Sequence, residues 1–161
     1  MKKLKVDSSL FLKNSDWSFS KKIAPVFDNH IKKSIPLYNE FQWLCNEVSD
    51  YFIKEGSVIY DLGCSTGSYT KRLDARHNNK KKIKIYAIDS VPEMISYAKK
   101  KNSSKNITYQ KKDLNKLKFL KSDFVISFYT LQFLNQKFRQ SMINKIYKSL
   151  NWGGGFFLLK K

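Results

Sequence analysis

The chain is expected to fold as an α/β domain: a mostly parallel sheet with helices on both faces. Three observations lead there. Short apolar runs alternate with stretches of helical spacing, a glycine-bearing loop (Asp61-Leu62-Gly63-Cys64-Ser65-Thr66-Gly67) joins the first run to a helical stretch, and an acid follows each of the first three runs, at Asp61, Asp89 and Asp113. Strands alternating with helices imply right-handed crossovers, a parallel sheet and a ligand at the carboxyl ends of the strands.

Residues 1 to about 24 lack strong periodicity and are expected to form an arm or short lid whose Phe11, Trp17 and Phe19 pack on something; residues 25–161 form the domain. From Leu37, apolar residues recur at Phe41, Leu44, Val48 and Phe52, the pattern of one buried helix face, and Gly56 ends that helix. The first strand is placed at 57–61, a helix at 67–76 and a second strand at 83–88. Pro92 suits the first turn of a helix carrying Met94, Ile95 and Ala98. A third strand is expected at 106–110 and a fourth at 124–128. A helix with Phe138, Met142, Ile146 and Leu150 follows, then the turn-like Asn151-Trp152-Gly153-Gly154-Gly155 and a fifth strand at 156–159.

The 161 residues suffice for one domain with a real core, being 42% hydrophobic and 15% aromatic. Lys+Arg number 31 against 13 Asp+Glu, a formal charge of +18 that draws a protein toward polyanions such as RNA or an acidic membrane surface. Arginine, the residue suited to bidentate phosphate contacts, occurs only at Arg72, Arg76 and Arg139, and the lysines are spread along the chain, so direct nucleic-acid binding is an open partner class. Two cysteines, Cys45 and Cys64, and two histidines, His30 and His77, have neither disulfide-framework nor metal-ligand spacing; no metal is expected. The basic N-terminus is not followed by a long apolar region, and no segment approaches the roughly 20 apolar residues of a membrane span, so a cytoplasmic protein without membrane association is expected.

The loop and the acids carry the chemistry. A turn from a buried strand into a helix presents free backbone N–H groups, and Gly63 and Gly67 let a ligand approach that backbone. Asp89, after the second strand, is placed to accept hydrogen bonds from both hydroxyls of a ribose. Together they read as a nucleoside-cofactor site. The leading acid at Asp61 departs from the usual Gly-x-Gly-x-x-Gly of an NAD loop.

Here the chain resembles the class I S-adenosylmethionine-dependent methyltransferases, through the Asp-Leu-Gly-Cys-Ser-Thr-Gly loop, Asp89, Asp113 and the Leu150-Asn151-Trp152-Gly153-Gly154 turn. The resemblance implies the Rossmann-like methyltransferase fold and S-adenosyl-L-methionine as cofactor. A closer resemblance is to the carboxy-S-adenosyl-L-methionine synthase family, enzymes of tRNA wobble-uridine modification. It rests on Ile23-Ala24-Pro25-Val26-Phe27, Ile31-Lys32-Lys33-Ser34-Ile35-Pro36-Leu37-Tyr38, Ser65 in place of the usual middle glycine, Thr130-Leu131-Gln132-Phe133-Leu134 and Lys145-Ile146-Tyr147. It runs from about residue 19 to residue 159 and implies cofactor contacts from Tyr38, Gly63, Cys64, Ser65, Asp89, Ser90, Asp113 and Leu114. Asp61 is read as steadying the loop and the cofactor's ammonium, Asp113 with Leu114 as framing the adenine, and Tyr38 as closing over the sulfonium.

Three departures from that family stand out: Leu37 where it usually has Gly, Phe128 where it has an Asn, and no counterpart of the Arg that holds the extra carboxylate. The fold is expected to be truncated after strand five, as a fragment or a naturally shortened chain. Its exposed fifth strand is then a candidate edge for a homo-oligomer. The activity classes left by the sequence are methyl transfer to an unidentified acceptor, a small molecule or an RNA-pathway substrate; carboxylation of the cofactor using prephenate, as the resemblance implies; and a shortened cofactor-binding module without catalysis. No general base is identified, because in-line transfer from a sulfonium needs orientation and water exclusion rather than a triad. Cys64 has no histidine placed to activate it.

Overall fold

The computed structural model describes residues 10–13, 16–19 and 24–160, with side chains from residue 24 onward. In chain order the main elements are β1 (Leu10–Lys13), β2 (Asp16–Phe19), α1 (Ala24–Ser34), α2 (Tyr38–Ser49), β3 (Val58–Leu62), α3 (Ser68–Arg76) and β4 (Lys84–Asp89). They continue with α4 (Pro92–Lys101), β5 (Ile107–Lys111), β6 (Ser122–Phe128), α5 (Gln136–Ser149) and β7 (Leu150–Leu159). The five strands β3 to β7 form one sheet in the order β5-β4-β3-β6-β7, and every pairing in it is parallel. The expected strands are all present, shifted by one or two residues, except that β7 begins at Leu150 rather than at 156. The chain direction reverses its lateral course beside β3, which places the switch point between β3 and β6, where such sheets bind ligands.

Successive side chains of a strand point to opposite faces, and the cores divide accordingly. Ile59, Ile85, Phe124 and Ile126 pack with Cys45 of α2 and with Tyr69 and Leu73 of α3. Tyr60, Leu62, Ile88 and Val125 face the other way, against Met142 and Ile146 of α5. Both faces are covered, so the strands read as near-continuous apolar runs. Each fully buried Ile, Leu or Phe contributes about 1.5–3 kcal/mol of transfer free energy.

Of the N-terminal arm, Leu10–Lys13 and Asp16–Phe19 pair as an antiparallel hairpin. What Phe11, Trp17 and Phe19 pack on lies outside the described side chains. Helix α1 has no counterpart among the sequence expectations. Ala24 and Phe27 bury one of its faces against Met94 of α4, with half-buried Ile31 alongside.

Helix α2 differs from expectation in its buried face. Gln42, Cys45 and Ser49 are the buried positions, Phe41 and Val48 are half-buried, and Leu37 and Leu44 are exposed. The cause is a polar seam with α3: Arg72 donates to Gln42, Arg76 donates to both Glu47 and Asp50, and the hydroxyl of Ser49 lies 2.7 Å from Nε2 of His77. Burial and the nearby Lys80 push the His77 imidazole down to about 4, so it is neutral in this seam at physiological pH.

Leu37 precedes α2 with φ 56 and ψ 25, in the left-handed region, and is 60% exposed. That conformation is costly for a residue with a Cβ and nearly free for glycine. Leu37→Gly should therefore stabilise the chain by about 0.5–1 kcal/mol after the greater unfolded-state entropy of glycine is subtracted. The check is a urea midpoint that rises at constant slope; an unchanged or lowered midpoint contradicts the strain.

Candidate functional site

The loop between β3 and α3 is built by backbone hydrogen bonds to the next strand. The N–H groups of Gly63 and Cys64 donate to the Ile88 carbonyl at 2.7 and 3.0 Å, and Gly67 N–H donates to the Cys64 carbonyl at 2.9 Å. Gly63 (φ 81), Ser65 (φ 49) and Gly67 (φ 74) all take left-handed conformations, which explains why glycine suits these positions and marks Ser65 as the strained member. Neither glycine has room for a Cβ, because a side chain already fills that space. A Cβ on Gly63 would lie 2.5 Å from Cγ2 of Thr130, and one on Gly67 would lie 2.5 Å from the Tyr109 hydroxyl.

Asp89, the last residue of β4, locks this loop in place. Its Oδ2 accepts from Ser65 N–H at 2.9 Å and its Oδ1 accepts from Val91 N–H at 2.9 Å. A carboxylate has about four acceptor sites, so capacity remains beside these backbone donors for a ribose hydroxyl. Burial raises its pKa, and the backbone donors of Val91, Ser65 and Ser90 oppose that rise.

Asp61 lies inside β3 and is 3% exposed. Its Oδ2 accepts from the Thr70 hydroxyl at 2.6 Å. Burial raises its pKa to about 6, the Thr70 hydrogen bond lowers it and the Asp89 charge raises it further. Tyr38 opens α2, half-buried, with its ring stacked on Tyr129 at 6.2 Å between centroids. Its hydroxyl is pushed well above the usual range by burial, then by the charges of Asp28 and Asp61, with Arg72 opposing. Asp28 of α1 accepts from the Thr66 hydroxyl at 2.7 Å, so a third carboxylate borders the loop. The site is locally acidic in a chain of charge +18, an arrangement suited to a cationic ligand group.

The sequence-predicted residues divide into two sets. Tyr38, Asp61, Gly63, Cys64, Ser65 and Asp89 come together at the carboxyl edge, with Cys64 buried in the core cluster around Ala87 and Tyr109. Its thiol is pushed well above the ordinary value, first by burial and then by the charges of Asp61 and Asp89, which suits a packing residue and not a nucleophile. Ser90 is exposed directly after Asp89. Asp113 is exposed and its Oδ1 accepts from Asn115 N–H at 2.9 Å, capping the turn at Leu114–Lys116. The Leu114 side chain is 7% exposed and packs in the core below α5. Phe128 turns into the core as well, edge-on to Tyr69 at 4.7 Å.

Thr130, Tyr129, Asp28 and Thr66 were not legible as site residues. Thr130 and Tyr129 follow β6 in sequence and reach Gly63 and Tyr38, respectively, only through the β3–β6 pairing, and Asp28 rides on the unanticipated α1. Among the described residues, no group of three or more His, Cys, Asp or Glu is placed to hold a metal ion, and no helix is long and apolar enough to cross a membrane.

Known proteins share this architecture. The profile of the methyltransferase-domain family matches residues 59–154. The carboxy-S-adenosyl-L-methionine synthase of Staphylococcus epidermidis is 32% identical over 146 residues, covering 90% of this chain and 63% of that protein. The enzyme of the same name from Escherichia coli is 32% identical over 152 residues, covering 91% and 60%. This chain thus spans about 60% of the length of these relatives. Among solved structures, the DhpI–SAH complex superposes with a TM-score of 0.66 at 16% identity, covering 84% of this chain and 62% of that one, a likeness of fold. With the parallel sheet, the strand order and the glycine loop on its first strand, the match over residues 59–154 places this chain in the methyltransferase-domain family.

Proposed function

We propose that this chain binds S-adenosyl-L-methionine at the carboxyl edge of the sheet and serves S-adenosyl-L-methionine-dependent methyl transfer. The observation that carries the reading is the loop held in left-handed turns at Gly63, Ser65 and Gly67 and pinned by Asp89, which keeps acceptor capacity for a ribose. The residues present fit the cofactor: a loop in left-handed turns between β3 and α3, remaining acceptor capacity on Asp89, and an acidic border at Asp28 and Asp61. When bound, the cofactor supplies an electrophilic methyl group on a sulfonium. The chain's own part is to hold and orient. Asp89 fixes the ribose, Asp61 with the first turn of α3 holds the amino-acid end, and the Tyr38–Tyr129 pair covers the sulfonium side and excludes water.

A second reading, carboxylation of the cofactor, is favoured by the 32% identity to proteins named carboxy-S-adenosyl-L-methionine synthase. A role in tRNA modification and a cytoplasmic location belong to that reading. Incubating the chain with S-adenosyl-L-methionine, with and without prephenate, and weighing the products separates the two. Demethylated cofactor in the presence of an acceptor supports methyl transfer, and a prephenate-dependent mass gain supports carboxylation. Binding without a prephenate-dependent mass gain excludes carboxylation.

Asp61 makes the binding pH-dependent. Its raised pKa means that the free protein holds a proton there between the ordinary carboxylate value of 3.8 and about 6, so this group's contribution to stability declines as pH rises through that window. A ligand ammonium favours the charged carboxylate, so binding below pH 6 must expel the proton. Affinity should rise about fivefold from pH 5 to pH 6, about twofold more by pH 7, and level off above. Asp61→Asn should flatten the profile; a wild-type profile without that rise contradicts the contact.

A further inference from the structure

At the amino ends of the strands, opposite the glycine loop, β6 and β7 separate. Ser122 pairs with Leu150 and Phe124 with Gly155, so residues 151–154 of β7 bulge outward opposite Asp123. Gly153 turns this bulge with φ 76. Trp152 on it is 105% exposed relative to a reference tryptophan, and Tyr51 across the opening is 81% exposed. Between them lies a cleft of about 370 Å3, lined by Lys54, Ser57, Asp123 and Asn151 as well as by the two aromatic residues.

The cleft is built rather than incidental. Asp123 Oδ1 accepts from the Asn151 amide at 2.8 Å, and its Oδ2 accepts from Val58 N–H at 2.9 Å, which ties the bulge to β6 and β3 together. Lys54 lies on its wall, and Lys121, two residues before Asp123 in the chain, donates its ammonium to the Lys148 carbonyl at the end of α5. Among the described residues, none of Lys54, Lys121 and Lys148 forms an ion pair.

We propose that this cleft docks single-stranded nucleic acid, one base stacking on Trp152 and Tyr51 while the neighbouring phosphates lie on Lys54, Lys121 and Lys148. Exposed aromatic faces beside unpaired cations are the two requirements of single-strand binding, because every base has a stackable face and every linkage a charge. Asp123 and Glu55 in the cleft disfavour a phosphate there and leave the interior to a base edge, which has donors for them. The same carboxylates disfavour an anionic membrane surface. The net charge of +18 supplies the long-range attraction. The site is separate from the glycine loop, and its test does not depend on the cofactor.

The test is fluorescence anisotropy of the full chain with labelled oligouridine, oligodeoxythymidine and duplex of roughly 12 nucleotides, over a salt series from about 50 to 200 mM. Tighter binding of either single strand than of duplex is expected, and the preferred one identifies RNA or DNA. The double variant Trp152→Ala/Tyr51→Ala should weaken it at least tenfold with an unchanged salt slope, while Lys121→Gln/Lys148→Gln should reduce the slope. Lys99→Gln/Lys100→Gln on α4, with the same change of charge beside β4 and β5, should bind within about twofold of wild type. Both aromatic side chains are exposed, so the fold should persist, and circular dichroism verifies it. Absence of binding at the lowest salt overturns the proposal. So does wild-type affinity in the aromatic variant, or duplex bound as tightly as single strands.

Discussion

Replacing Asp89 by alanine should weaken S-adenosyl-L-methionine binding by about 2–3 kcal/mol, roughly 30- to 150-fold, in a chain that still folds. Two losses combine. The ribose loses its carboxylate acceptor, and Ser65 N–H and Val91 N–H lose the oxygens that hold the loop against β4. Asp89→Asn separates these contributions, because its amide oxygen can still accept one backbone N–H but no longer offers a charged acceptor. It should bind with intermediate affinity. Calorimetric titration reads both variants, and wild-type affinity in a folded Asp89→Ala protein would refute the assignment.

Gly63→Ala should have the larger effect on the loop itself. At φ 81 an alanine is strained, and its Cβ would stand 2.5 Å from Thr130 Cγ2 and 2.7 Å from Thr130 Cβ. The Thr130 hydroxyl donates to the Phe128 carbonyl at 3.0 Å, so the side chain is not free to swing away. Backbone strain and overpacking together should cost about 2–4 kcal/mol of stability and abolish measurable cofactor binding. Adding Thr130→Gly removes the steric part and leaves the φ strain, so the double variant should regain part of the lost melting temperature. A double variant no more stable than Gly63→Ala alone would show that the contact with Thr130 is not what makes the position demand glycine.

What could be read from the sequence follows from how local each signal is. The strands are apolar runs in their own right because the sheet is covered on both faces, and Gly63, Gly67 and Asp89 announce themselves because a loop of this shape needs those residue types within about 30 positions. The buried face of α2 could not be read that way. Its inward residues include Gln42 and Ser49, whose burial depends on Arg72 and His77 of α3, partners that no periodicity of α2 reveals. Leu37 falls at the first apolar position of that spacing, but its left-handed backbone leaves it exposed ahead of the helix. The β7 bulge was hidden because Asn151 to Gly155 looks like a turn; in the structure it is a strand forced outward opposite Asp123. Asp113 and Leu114 came from the family resemblance, and in the structure Asp113 also caps the turn at Leu114–Lys116 while Leu114 also packs in the core, roles that no spacing reveals. Thr130 and Tyr129 became visible only once β6 was set beside β3.

The central claim is that the loop at Gly63–Gly67 receives S-adenosyl-L-methionine. Calorimetric titration of the purified chain with S-adenosyl-L-methionine, with NAD as control, tests it most directly. Saturable binding of S-adenosyl-L-methionine at one site per chain, with no heat from NAD and loss of binding in Gly63→Ala, is the predicted result. A folded chain that binds neither ligand, or that binds NAD as well as S-adenosyl-L-methionine, would contradict it.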